Sequence, residues 1–269
     1  MIQLILNADD FGLHASVNEA VEQAHVDGLL TTASLMVGGA AAAQAVETAK
    51  RLPTLGVGLH LVLADGPAVS AREAIPDLVD AEGRFGDHMV RDGFRFFFLP
   101  KVRAQLAIEI RAQFAAFAAT GLTLDHVNAH KHFHLHPTVL SLVLAIGREY
   151  GLNAVRLPHE PGTAPLLTPW IALTRRRLRK AGLLHNDAMW GLSSTGTTDE
   201  TALLAAIDRL PPGLNEIYLH PATRRSLSPT MADYRHDDEL SALLSPRVRA
   251  AIVQRGIVTG RWTDFVERP

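Results

Sequence analysis

Short apolar runs alternate with amphipathic stretches along most of this chain, and that alternation constrains the fold more than any single motif. Residues 2–6 form a compact apolar run that ends at "NADDFG". Such a run reads as a buried strand with its polar residues in the following turn. A helix is expected next, with Ser16 as N-cap, Glu19 completing a capping box, and Val17, Ala20, Val21 and Ala24 on one face. "TTASLMVGG", "LGVGLHLVL", "NAVRLP" and "NEIYLHPA" read as later strands. "AAAQAVETAKRLP", "LPKVRAQLAIEIRAQFAAFAATG", "TVLSLVLAIGREYG", "ETALLAAIDRLPPG" and the start of "PRVRAAIVQRGIVTGRW" read as helices. Repeated βα units imply an α/β fold with a parallel sheet. A length of 269 residues is usual for a single α/β barrel. Residues 65–100 and 159–198 break the rhythm with Gly, Pro and charge, the second around a basic helix. They read as insertions on the working face of one domain spanning 1–269.

The densest chemical signal is "DHVNAHKHFHLHP", residues 125–137, which holds five of the thirteen histidines. His130, His132, His134 and His136 are spaced by two, the period of a strand, so an extended segment would turn all four rings to one face. Four such rings span roughly 20 Å at 3.3 Å per residue, so one or two could ligate a single ion. The others would orient ligands, line a cleft or move protons.

In a βα barrel the active site forms where strands end and their loops begin. Asp9 and Asp10, His60, the histidine segment and His220 all lie at such ends. Adjacent carboxylates near an apolar mouth are costly unless a cation relieves them. A metal on one would let the other act as a general base, the alternative being an Asp that caps the coming helix. His60 is either a ligand in a two-histidine, one-carboxylate shell or a hydrogen-bonded core residue. Glu216 and His220, four apart on a strand, would share a face with Glu216 deeper. His220 is then a general acid or a packed strand end. With no cysteine in the chain, any metal falls to His and carboxylate. Magnesium (Mg), zinc (Zn), nickel (Ni), cobalt (Co) and manganese (Mn) all suit such a set, ligand softness favouring a late transition metal.

A formal net charge of -2 argues against a nucleic-acid partner. No run is long enough for a signal-peptide core or a membrane span, so a cytoplasmic location is expected. Two other readings remain. Metal-dependent phosphoester hydrolysis usually wants two ions and more ligands. A non-catalytic metal sensor would have no use for the spare carboxylate of Asp9.

"LILNADDFGL", "VGLHLVL", "DHVNAHKHFHLHP" and "EIYLHPA", in this order, resemble the YdjC/ChbG-like carbohydrate deacetylases, and most of all their hopanoid-biosynthesis-associated branch, HpnK. The resemblance extends over nearly the whole chain. It implies a deformed, seven-stranded (β/α) barrel that removes acetyl from an N-acetylglucosaminyl group with one divalent metal ion. It also implies Asp10, His60 and His130 as ligands, Asp9 as the base, His220 as the best candidate for general acid, and His132 and His134 lining the site. Lys131 stands where relatives commonly have histidine, and His136 has no regular counterpart. The branch implies a hopanoid glycolipid substrate; soluble chitooligosaccharides are the alternative. "FRFFFLP" and "PLLTPWIALTRRRLRKAG", with Trp170, Ile171 and Leu173 beside a cationic run, are expected either to touch the inner face of the membrane or to be ordinary core packing under a basic surface. No sequence feature specifies an oligomeric state.

Overall fold

A computed structural model describes residues 1–163 and 165–266. In chain order its strands are β1 (Ile2–Phe11), β2 (Thr32–Leu35), β3 (Gly56–Leu61), β4 (Gly66–Pro67), β5 (Arg84–Phe85), β6 (Leu124–Ala129), β7 (Ala188–Trp190), β8 (Gly213–Leu219) and β9 (Val258–Thr259). The helices are α1 (Ala15–Val26), α2 (Ala42–Arg51), α3 (Met89–Phe98), α4 (Pro100–Ala119), α5 (Pro137–Gly147), α6 (Thr168–Lys180), α7 (Glu200–Arg209), α8 (His236–Leu244), α9 (Pro246–Gln254) and α10 (Trp262–Phe265).

The main sheet runs β6-β3-β2-β1-β8-β7, all parallel, with β9 paired to β1. From Leu4 to Phe11, β1 is buried on both faces, as expected of a parallel strand covered by helices. Beyond β6 the curl continues through isolated bridges, Val127 to Val155 and Ala154 to Leu184, towards the chain that leads into β7. The result is a deformed (β/α) barrel. "NAVRLP" contributes these bridges in place of the full strand its pattern predicts.

Register places the chemistry. Ala8 pairs with Leu219, His60 with Asn128 and Leu61 with Ala129, so β1, β8, β3 and β6 end at one rim. The helix after β1 starts differently from expectation. His14, not Ser16, is its N-cap, with Nδ1 accepting from the Ser16 backbone. Glu19 instead accepts from the Thr223 hydroxyl, so no capping box forms.

The 65–100 excursion is more ordered than its composition predicts. It contains the β4–β5 hairpin and the whole of α3. One buried face of α4 fastens it: Glu109 accepts from the Val69 and Ser70 backbones, Gln105 from Asp77, and Gln113 from Val62. These side chains, at i, i+4 and i+8, form a polar stripe facing inward. Helix α8, in a segment with no clear periodicity, packs beside α7 and α1.

Candidate metal and catalytic site

The histidine segment is not a continuing strand. β6 stops at Ala129, and His130–Leu135 form a tight turn in which Lys131 and His132 have φ of 53° and 56°. Two consecutive left-handed residues rotate the chain, so the four rings diverge. His130 turns into the rim of the barrel, and His132 lines the cavity above it. His134 is fully buried, with Nε2 3.0 Å from the Arg156 carbonyl oxygen, and is not part of the cavity wall. The expectation that His134 lines the site is therefore corrected: it supports Arg156 from behind. His136 leaves the site altogether and packs edge-on against Phe96, Phe97 and Phe133.

Asp10, His60 and His130 converge. Their ligand atoms all lie within 4.8 Å of one another, and all three residues are buried. Asp10 Oδ1 is 3.3 Å from His60 Nε2 and 3.2 Å from His130 Nδ1. Both Asp10 oxygens and His60 Nε2 are buried without a hydrogen-bond partner. An ionised carboxylate left in that state is expensive, and two imidazoles plus one carboxylate are a suitable donor set for a divalent cation. His60 is oriented from its other nitrogen: Nδ1 lies 2.7 Å from Asn128 Oδ1. That outer contact fixes which ring nitrogen faces the cavity.

Asp9 sits beside the triad in a different environment. Arg156 grips it with Nη1 to Oδ2 at 2.6 Å and Nη2 to Oδ1 at 3.0 Å, while Asn7 and Asn128 donate to Oδ1. Burial would raise its pKa, but the Arg156 guanidinium, with smaller help from His60 and His220, holds it well below the usual carboxylate range. The same guanidinium binds both oxygens of Glu216 and lies over the Tyr218 ring. Glu216 does lie deeper than His220, but it faces Arg156 and is not a cavity wall. Arg156 was missed in the sequence, although a charge inside the apolar "NAVRLP" must find a buried partner and could have marked it. Asn7 and Asn128 carried the same weaker signal inside "LILNADD" and "DHVNAH".

His220 lines the cavity with Nδ1 unpartnered. Burial lowers its pKa against the opposing pull of Asp10 and Asp9. Its backbone is held at both ends: its N–H donates to Glu239 and its carbonyl oxygen meets His236 Nδ1 at 2.5 Å. Burial pushes the Glu239 carboxyl up to about 8, despite the N–H groups of His220 and Thr198. The remaining walls include Tyr218, whose hydroxyl lies 2.6 Å from Thr195 Oγ1, and Tyr234, packed between His220 and His236.

The family model for YdjC-like proteins matches residues 3–254. The chain belongs to the YdjC-like family. A carbohydrate deacetylase of Geobacillus stearothermophilus is 31% identical over 97% of both chains. One from Brevibacillus brevis is 37% identical over 69% of this chain and 67% of its own length. A crystal structure from Enterococcus faecalis, described as a cellobiose-phosphate cleavage protein, covers 99% of both chains with a TM-score of 0.81 and 26% identity. No helix among the described residues is long and apolar enough to cross a membrane.

Proposed function

We propose that this YdjC-like protein is a metal-dependent carbohydrate N-deacetylase, a hydrolase of a linear amide C–N bond. The observation that carries the reading is the Asp10–His60–His130 triad with its unpartnered carboxylate, next to a second carboxylate in a separate role. A divalent cation held by these three residues would supply Lewis acidity to the acetamide carbonyl and acidify a water molecule. Asp9 is the proton acceptor: it lines the cavity, and Arg156 keeps it ionised and oriented. The proton that Asp9 takes from the attacking water passes by way of His220 to the departing amine nitrogen. His132 is the weaker candidate, since burial and then Arg156 drive its pKa well below the ordinary value. His134 has no access to the leaving group. Acetate and a free amino sugar are the products.

The proposed substrate is an N-acetylglucosaminyl hopanoid, reached by peripheral contact with the inner face of the membrane. What supports a lipid is helix α3. Phe96 is buried against Phe133, whereas Phe94, Phe97 and Phe98 are exposed by 63%, 47% and 64%, and Phe97 touches His136 of the histidine turn. A cluster of exposed rings beside an active-site segment is the kind of patch that meets an apolar partner. Helix α6 gives less support, because Ile171 is buried and Trp170 Nε1 donates to the Leu135 carbonyl oxygen, although Leu173 is 45% exposed. The test is acetate release by metal-reconstituted protein from the N-acetylglucosaminyl hopanoid and, in parallel, from diacetylchitobiose. Faster release from the glycolipid is expected. Release from the soluble sugar alone would overturn the lipid substrate, and release from neither would overturn the reaction.

A further inference from the structure

We propose that Asp65 and Lys131 form a binding subsite for sugar hydroxyls at the mouth of the cavity, a reading that rests on the deacetylase function above. Among the described residues, four that are not glycine have positive φ: Asp10 at 63°, Asp65 at 48°, Lys131 at 53° and His132 at 56°. Asp10 belongs to the triad, and the other three line the cavity. A left-handed backbone is disfavoured at each of these side chains, and such conformations concentrate where geometry serves a ligand. At Asp65 and Lys131 it brings two charges together, with Nζ 3.0 Å from Oδ2. A second carboxylate, Asp87, meets Lys131 from outside the cavity wall.

The pair is open where several of its neighbours are committed. Asp9 is committed to Arg156, the Tyr218 hydroxyl to Thr195, and His60 Nδ1 to Asn128. An ammonium has three N–H donors, so Lys131 keeps one beyond its two carboxylates, and Asp65 offers acceptor lone pairs. The two side chains remain 28% and 20% exposed, open to a ligand. A sugar hydroxyl both donates and accepts, so a carboxylate beside an ammonium matches neighbouring hydroxyls on one ring. Held there, the ring would carry its acetamide towards Asp10, His60 and His130 deeper in the same cavity.

The competing role is a fastener that only ties the excursion to the histidine turn. Lys131→Met and Asp65→Asn are compared with Asp87→Asn, reading KM and kcat for acetate release, calorimetric Kd for methyl N-acetyl-β-glucosaminide, and Tm. A hydroxyl subsite predicts KM and Kd raised roughly tenfold in the first two, the scale of one charged hydrogen bond, with kcat falling much less. Asp87→Asn should stay within twofold in both. Equal losses of Tm in all three variants with KM and Kd unchanged would overturn the subsite. If the wild type binds the glycoside but releases no acetate, and the two variants lose that binding, the subsite stands while the deacetylase reading falls. Failure of the wild type to bind the glycoside would overturn the subsite.

Discussion

Arg156 holds two buried carboxylates at once, Asp9 and Glu216, and is itself fully buried. Removing it as Arg156→Met leaves both acids without their cation, a loss of roughly 3–5 kcal/mol that urea unfolding would measure. Arg156→Lys is expected to recover only part of this, because a single ammonium cannot reproduce the forked contact to two acids. His134 makes a second residue-scale prediction. Burial, then Arg156, lower its pKa to about 3 against an ordinary 6.5. Between those values the unfolded chain binds the extra proton, so stability is complete above pH 6.5 and is lost as pH falls towards 3. Within that window the slope is about 1.4 kcal/mol per pH unit for one proton. His134→Gln should flatten the pH dependence of the urea midpoint, and an unchanged slope would remove this role. Asp9, Asp10, His60 and His220 were legible because each is polar at or near the end of an apolar run, and His130 was singled out from its neighbours by the family resemblance. The partnership of Arg156 with Asp9 was not, since 147 positions separate them and only the barrel brings them together.

At the scale of elements, the strand–helix alternation was legible wherever a helix buries an apolar stripe. It held at α4 as well, although that helix's inward face also carries Gln105, Glu109 and Gln113 to hold the excursion. Glu109→Ala would leave the Val69 and Ser70 N–H groups without their acceptor, at about 1–3 kcal/mol each where they are screened from water. A lowered urea midpoint, with faster amide exchange confined to residues 62–80, is the expected result; exchange spread evenly over the chain would contradict it. The histidine segment is where the pattern failed. Its period of two suits a strand, but nothing local, neither Gly nor Asn, announces the left-handed turn at Lys131 and His132. Helix α3 was hidden by the Gly and charge around it, and its ring cluster is tested directly. Phe94→Ser with Phe98→Ser should reduce acetate release from vesicle-embedded glycolipid several-fold and leave diacetylchitobiose turnover unchanged, whereas equal effects on both would count against lipid contact.

For the whole molecule, the parallel sheet, the shared rim of its strands and a triad suited to a metal ion at that rim form one account. The strand–helix alternation indicated an α/β fold with a parallel sheet, and the family resemblance implied the barrel. Its closure through isolated bridges at Val155 and Leu184 depends on packing that no local pattern encodes. One divalent ion per chain is expected to stabilise the fold by about 2.7 kcal/mol at a hundredfold excess over Kd. His60→Ala should abolish that stabilisation. The most direct test joins metal content to chemistry: cation stoichiometry and acetate release from an N-acetylglucosaminyl substrate, measured on the same samples of wild type, Asp10→Asn and Asp9→Asn. The account predicts one ion and acetate for the wild type, neither for Asp10→Asn, and a retained ion without acetate for Asp9→Asn. Acetate released at the wild-type rate by metal-free Asp10→Asn would contradict it.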